Sequence, residues 1–521
     1  MKKLSLVQER TKRKRRFIMN KFLNGLTDAT NYTLTANGAL THKTTKSDLL
    51  DMFAMGGSYR RRSEDDVILL FKKAYEENPA YALKCLFYLG DVRGGQGERR
   101  FFRVCMKWLS GYDVEAARRN LKHVPEYRRW DDLYAFVGTP LENEAFAFMK
   151  NQLALDVQSK TPSLLAKWLK SENTSSKESR DLATKTRKAF GMNHKQYRKT
   201  LSILRERINV LERLMSAGKW DEIEFDKIPS RAGLIYKNAF AKHDIERMRE
   251  GATQSYADFA KDTTTKVNAE VLNPVDIANK IFRNYRACEI DRLMFDKYWA
   301  NLKDYYNGKE ENGIAVVDVS GSMHGQPMNA AVSMGAYIAE RGKGPFKDHF
   351  ITFSGNPQLV RFEGVDIFDK FHRAVDAAWG QNTNIEATLN LLLNTARKNN
   401  CTQEEIPTRL YIFSDMEFDD CVCIGDPFSG MWGGRDTITI GDANATFFEK
   451  AKKQWANYGY KLPQIVFWNL NATHENIPAI GEGFSYVSGF SMTMIEEILS
   501  GEDGYSLMMK KLDSERYSCI R

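Results

Sequence analysis

Three oxygen-bearing side chains follow an apolar run in the stretch GIAVVDVSGSMHG. Asp318, Ser320 and Ser322 stand at every second position, whereas a strand that only filled a core would need no such set. Two later residues can join them, Thr383 in the loop WGQNTN and Asp415 at the end of RLYIFSDM. Carboxylates, hydroxyls and waters are the ligands that Mg²⁺ prefers in octahedral geometry. The sequence therefore predicts a site for Mg²⁺ (or Mn²⁺) built from these five residues.

Two serines and one threonine bring little negative charge to such a site. The ion would keep part of its charge and would seek an acidic ligand from outside the domain. The alternative interpretation is a hydroxyl-rich turn that only caps the helix after the strand.

The elements around these residues change character at residue 313. From there strands alternate with helices: GIAVVDVSG, DHFITFS, RLYIFSDM and QIVFWNLN are typical of buried strands, and LVRF is typical of an antiparallel edge strand. This alternation predicts a doubly wound α/β sheet. Ligands of such sheets bind at the carboxyl ends of the strands, where Asp318 and Asp415 are expected.

Before residue 313 the pattern is helical nearly throughout. In SEDDVILLFKKAYEENPAYALKCLFYLGD, apolar residues recur every three or four positions, Ser63 is a good N-terminal cap and Pro79 begins a second helix. Many successive helices favour an α-helical repeat. We therefore expect three parts, a basic N-terminal arm (residues 1–30), a helical repeat domain (31–310) and an α/β domain (311–521).

The composition excludes several classes of protein. The 521 residues contain no apolar run near the roughly 18 needed to span a bilayer. The basic N-terminus lacks the apolar segment of a secretory signal, so a cytoplasmic protein is expected. The seven cysteines form no C-x-x-C pair, which argues against a disulfide framework or a structural zinc site.

Charge is distributed unevenly along the chain. The formal net charge is +17 for residues 1–312 and −8 for residues 313–521, which together give the +9 of the whole chain. A polyanion such as RNA is one explanation, and solvated helix faces are the other. The candidate RNA-binding residues are Arg93, Arg99 and Arg100 around a glycine-rich turn, and Lys195, Arg198, Lys199 and Arg205 on a helix. For each group the alternative is a set of solvated side chains.

The motifs also carry a family resemblance. DVSGSM, the loop with Thr383 and the late FSD resemble the metal-ion-dependent adhesion site of von Willebrand factor A domains, although the usual Gly-Gly-Thr is Gln-Asn-Thr here. The stretches LTANGALTHKTTKSDLLDMFAMGG, LGDVRGGQGERRFF and LLAKWLK resemble an uncharacterised branch of the Ro (TROVE-type) ribonucleoprotein family. The resemblance implies a HEAT-like ring of helical repeats that binds small structured or single-stranded RNA.

Two functions follow from these observations. The first is an RNA-binding, Ro-like ribonucleoprotein component whose metal site engages an acidic ligand or a protein partner. The second is a protein-assembly scaffold that uses the metal site to bind a partner's carboxylate and has no role with RNA. An enzyme is not expected, because the sequence offers no evident pair of a nucleophile and a base.

Overall fold

The structure is a computed structural model that describes residues 31–284, 286–353, 357–376, 384–419 and 446–521. Its N-terminal half is rich in helices and its C-terminal half is built on one mixed sheet of six strands. Within the described ranges, no helix combines the length and the apolar character needed to cross a membrane.

The helical half has the predicted short helices joined by short connections. Ser63 caps its second helix with a complete capping box, and Pro79 opens the third, as the sequence indicates. The helices of this half are α1 (Asp48–Met55), α2 (Glu64–Glu77), α3 (Pro79–Gly90), α4 (Arg99–Tyr112), α5 (Val114–Leu121), α6 (Val124–Tyr127), α7 (Glu142–Gln158), α8 (Leu165–Trp168), α9 (Lys177–Phe190), α10 (His194–Arg207), α11 (Leu211–Ser216), α12 (Ser230–Arg249), α13 (Tyr256–Lys261), α14 (Pro274–Phe282) and α15 (Glu289–Ala300).

The first two strands depart from the predicted helical pattern. β1 (Tyr32–Leu34) and β2 (Leu40–His42) form an antiparallel hairpin with Leu34 opposite Leu40. The hairpin extends to the other half of the chain, because His42 forms an isolated bridge with Ile477.

The six-stranded sheet has the order β5-β4-β3-β6-β7-β8. Its strands are β3 (Gly313–Asp318), β4 (His349–Phe353), β5 (Gln358–Arg361), β6 (Arg409–Ser414), β7 (Gln464–Asn469) and β8 (Phe484–Ser488). Only β5 runs antiparallel, at the edge, as LVRF predicts; the other strands pair in parallel. The described helices that follow β3 are α16 (Gln326–Arg341), α17 (Ile367–Asp376), α18 (Ile385–Lys398), α19 (Phe447–Asn457), α20 (Ile495–Ile498) and α21 (Gly504–Leu512).

Parallel pairing brings the polar ends of β3 and β6 together. Val317 lies opposite Phe413, so the residues that follow each strand leave the same edge of the sheet side by side. α16 packs closely on β3, and Gly335 makes this possible, since a Cβ there would lie 2.4 Å from a methyl of Val317. The sheet and α16 thus hold Asp318 and Asp415 in place.

The two halves share one continuous hydrophobic core. α1 packs against β8, where Ser488 Oγ donates to the Phe53 carbonyl and accepts from the Gly57 amide, each at 2.9 Å. A Cβ on Gly57 would lie 2.6 Å from the Ser488 carbonyl oxygen, so this contact requires glycine. The helical half is therefore docked on the edge of the sheet by close backbone packing.

Candidate metal centre and basic surfaces

Four of the five predicted metal ligands lie at the carboxyl edge of the sheet. Asp318 ends β3 and is completely buried, and its Oδ1 accepts a hydrogen bond of 2.9 Å from the Ser320 amide. The hydroxyls of Ser320 and Ser322 lie 3.1 Å apart in the turn before α16. Asp415 follows β6 and is 1% exposed. The fifth, Thr383, lies outside the described residues and stays a prediction.

Burial raises the pKa of both carboxylates, and the Asp318 carboxylate also acts on Asp415. Burial, then the nearby Asp318 carboxylate, raises the pKa of Asp415 to about 7, and the Ser322 hydroxyl offsets part of this shift. Burial also raises the pKa of Asp318. Two carboxylates in one dry site repel each other, and a cation between them would remove that repulsion.

The hydrogen bonds of the site leave one oxygen unused. Asp318 Oδ2 accepts from Ser414 Oγ at 2.6 Å, and Asp415 Oδ1 accepts from the Glu417 amide at 3.1 Å. Asp415 Oδ2 is buried and makes no hydrogen bond with any described residue. Buried carboxylate oxygens normally have partners, so an oxygen in this state fits a ligand to a hard cation.

The loop after Asp415 is fixed by the N-terminal hairpin. Met416 has a left-handed backbone (φ 67°), and the buried Glu417 accepts from the Ala36 amide at 2.7 Å and from Asn476 Nδ2 at 3.1 Å. Thr35 Oγ1 donates to the Phe418 carbonyl at 2.7 Å. This pairing leaves no local pattern in the sequence, because Ala36 and Glu417 lie 381 positions apart.

The glycine-rich turn with Arg93 contacts the end of the chain. The buried Asp91 accepts from Arg516 Nη2 at 2.7 Å and from the Tyr517 hydroxyl at 3.1 Å. A Cβ on Gly94 would lie 2.6 Å from Arg516 Nε, so this glycine allows a close contact inside the protein. Arg93 itself is exposed beside this turn.

Arg99 and Arg100 are engaged within the protein. Arg99 Nη2 lies 3.0 Å from Asp131 Oδ2 and 3.1 Å from Asp132 Oδ1. Arg100 Nη1 donates to the Tyr59 carbonyl at 3.4 Å. Asp131 and Asp132, which directly follow Trp130, thus neutralise arginines.

The four basic residues on α10 divide into two groups. Arg205 is turned inward and donates to the carbonyls of Ala166 and Leu169, each at 2.9 Å. Lys195, Arg198 and Lys199 are exposed. Lys195 and Lys199 can reach a polyanion directly, and Arg198 has one long hydrogen bond within the helix, from its Nε to the His194 carbonyl at 3.4 Å.

A cavity of about 1040 Å³ opens beside Arg198, and we call it the basic cavity. Its lining residues come mainly from α8 and the loop that follows it (residues 169–174), from α10, α11 and α12, and from Arg129 and Asp131. They include Lys167, Trp168, Arg198 and Arg231. The sequence alone does not single out Trp168 or Arg129 as surface residues of one site. The run RRW and the stretch AKWLK pair cations with tryptophan, but only the fold brings them together.

Comparison with known proteins identifies relatives without an assigned function. The model of a domain of unknown function, DUF2828, matches residues 35–189 and 151–318, and that of a second domain of unknown function, DUF7788, matches residues 312–516. The uncharacterized protein L728 of Acanthamoeba polyphaga mimivirus is 30% identical over 513 residues, covering 91% of this chain and 85% of the viral protein.

Among solved structures, the Ro (RSR) protein of Deinococcus radiodurans aligns with 91% of this chain and 100% of its own. The TM-score is 0.44 and the sequence identity 12%.

Proposed function

The chain belongs to the family of the domain of unknown function DUF2828, and on that premise we propose that it is a binding protein that recognises an acidic ligand through a bound Mg²⁺ ion. The site would be of the von Willebrand factor A adhesion type. The observation that carries the proposal is the buried, unpartnered Oδ2 of Asp415 beside the buried carboxylate of Asp318.

The donor set at this site fits a hard cation. Asp318, Ser320 and Ser322 offer oxygen ligands from one turn, and Asp415 offers another from the neighbouring strand. Thr383 is proposed as the fifth ligand. Mg²⁺, or Mn²⁺ in its place, would supply an electrophilic position for a carboxylate of a partner.

We propose binding rather than catalysis at this edge. In the described part of the chain, the hydroxyls of Ser320 and Ser322 contact each other and neither has a histidine or lysine as its partner. Activation of a serine would need such a base.

A direct test uses Mn²⁺ as the probe ion in the full-length protein. Bound Mn²⁺ with open coordination positions enhances the relaxation of water protons, and a short glutamate-containing peptide should displace that water and lower the enhancement. The matched glutamine peptide should have no effect. An equal effect of both peptides, or of neither, would contradict recognition of a carboxylate.

RNA binding by the helical half is a second proposed function, in a Ro-like ribonucleoprotein with HEAT-like helical repeats. The net charge of +17 before residue 313 supports it, as do Arg93, Lys195, Arg198 and Lys199, which all stay exposed. Phosphate contacts from such side chains provide affinity without reading sequence. The competing proposal is a protein-assembly scaffold that uses only the metal site.

Nucleic acid that co-purifies with the protein separates these two proposals. The ratio of absorbance at 260 and 280 nm should fall after nuclease treatment if RNA is bound. A ratio that nuclease does not change, together with no affinity for RNA at low salt, would contradict the RNA proposal and favour the scaffold proposal.

A further inference from the structure

The basic cavity is lined by more positive than negative side chains. Seven of its lining residues are lysine or arginine and three are aspartate or glutamate, so it is positive before any pairing is considered. Its volume of about 1040 Å³ lies just above the usual range of about 300–1,000 Å³ for small-molecule sites. It is large enough for a few planar groups and too small for a double helix.

The three acidic residues of the cavity are engaged with groups other than Arg129, Lys167 and Arg198. Asp131 Oδ2 is paired with Arg99 at 3.0 Å and with Lys170 at 3.4 Å. Glu172 is paired with Arg187 at 2.8 Å and with His194 at 3.0 Å. Glu212 contacts the Tyr236 hydroxyl at 3.3 Å.

Four cations of the cavity have no carboxylate within ion-pair distance among the described residues. These are Arg129, Lys167, Arg198 and Arg205, of which Arg205 is turned inward and donates to the carbonyls of Ala166 and Leu169. Burial is the main cause that lowers the pKa of Arg129, and the neighbouring Arg99 is a smaller one. An anion that entered the cavity would compensate the unpaired charge of these side chains.

The cavity also has an aromatic surface. The guanidinium carbon of Arg129 lies 4.6 Å from the centre of the Trp168 ring, and Lys167 Nζ lies 5.8 Å from it. An arginine stacked on a tryptophan keeps its N–H groups free at the edge of the stack, where they can donate to phosphate oxygens. Trp168 is only half-buried, so part of this surface is accessible.

We infer that the basic cavity binds a short segment of single-stranded RNA. Arg198 and Lys167 would contact phosphates, and a base would stack against the Arg129–Trp168 pair. Stacking combined with phosphate contacts is the general mode by which proteins hold single strands. An acidic peptide would use the cations but not the stack. This inference rests on the proposed RNA function and assigns it a site.

The test measures binding of a fluorescein-labelled oligouridylate to the full-length protein by anisotropy, without divalent ions, at several salt concentrations. Lys167→Ala and Arg198→Ala together should flatten the slope of log K against log[salt] by about 1.4, that is about 0.7 for each phosphate contact. Trp168→Leu should weaken binding about tenfold at every salt concentration, because it removes stacking. Arg249→Ala is the matched control, since Arg249 is exposed on α12 and does not line the cavity.

Four other results of this experiment would contradict the inference. If wild type binds the RNA but the cavity variants behave like Arg249→Ala, the cavity inference is wrong and the RNA function stands. If wild type binds no RNA at low salt, both are wrong. Competition by uridine monophosphate as strong as that by the oligonucleotide would show that the cavity binds a free nucleotide and not a strand. Equal competition by polyglutamate would show that charge alone is recognised, and either result would overturn the inference.

Discussion

The contact of Asp91 with Arg516 should contribute strongly to holding the end of the chain on the helical half. Asp91 is completely buried and accepts hydrogen bonds from Arg516, the Tyr517 hydroxyl and the Arg93 amide. Removal of one partner from a buried ion pair costs about 3–5 kcal/mol. Because Arg516 keeps a third of its surface exposed and can be hydrated, we expect Asp91→Ala to cost about 3 kcal/mol.

The matched control is a second ion pair between the same two parts of the chain. Asp513 lies 3.0 Å from Lys84, but its side chain is half exposed, so Asp513→Ala should cost about 0–1 kcal/mol. Unfolding by urea would be followed by tryptophan fluorescence, and hydrogen exchange would be measured at the Asp91 turn and after Ser514. Asp91→Ala should raise exchange at both places, and Asp513→Ala should raise it at neither.

A double-mutant cycle completes this test. The coupling energy between Asp91→Ala and Arg516→Ala should be about 1–3 kcal/mol, because the two side chains are in direct contact. Two results would show that the buried pair does not join the two parts of the chain. One is an equally small loss of unfolding free energy in Asp91→Ala and Asp513→Ala, and the other is a coupling energy of zero in the cycle.

Three further predictions concern single sites. Burial raises the pKa of Asp51 from 3.8 to about 6, so its contribution to stability is greatest below pH 4 and is lost as the pH rises to about 6. The free energy of unfolding of Asp51→Asn should therefore rise relative to that of wild type, by up to about 3 kcal/mol between pH 4 and pH 7. A difference in melting temperature between the two proteins that does not change with pH would contradict this. Gly57→Ala should destabilise the protein by about 1–3 kcal/mol, measured by urea unfolding, because its Cβ would meet the Ser488 carbonyl. Lys195→Ala and Lys199→Ala together should flatten the salt slope of RNA binding by about 1.4 without changing the melting temperature, and an unchanged slope would exclude both from phosphate contact.

Local sequence patterns predicted the elements that hold the proposed metal ligands. The change of period at residue 313 coincides with the start of β3, and the predicted edge strand is β5. Asp318 and Asp415 lie side by side because parallel strands end at one edge, a geometric rule that needs no knowledge of distant contacts.

Features that depend on pairing between distant residues were not predictable. The hairpin from Tyr32 to His42 contacts Glu417 and Ile477. No local sequence pattern indicates either of these contacts. Arginine clusters are equally ambiguous: Arg198 and Arg205 lie on one helix, yet one is exposed and the other donates to buried carbonyls. Composition gives the number of cations, whereas only the fold determines which of them are already paired.

Calorimetric titration of the full-length protein with Mg²⁺ tests the central claim most directly. Wild type should bind one ion, and Asp318→Ala should abolish binding while leaving the melting temperature close to that of wild type. Asp348→Ala is the control, since Asp348 lies before β4 at the opposite edge of the sheet. Equal Mg²⁺ binding by Asp318→Ala and wild type would contradict the account.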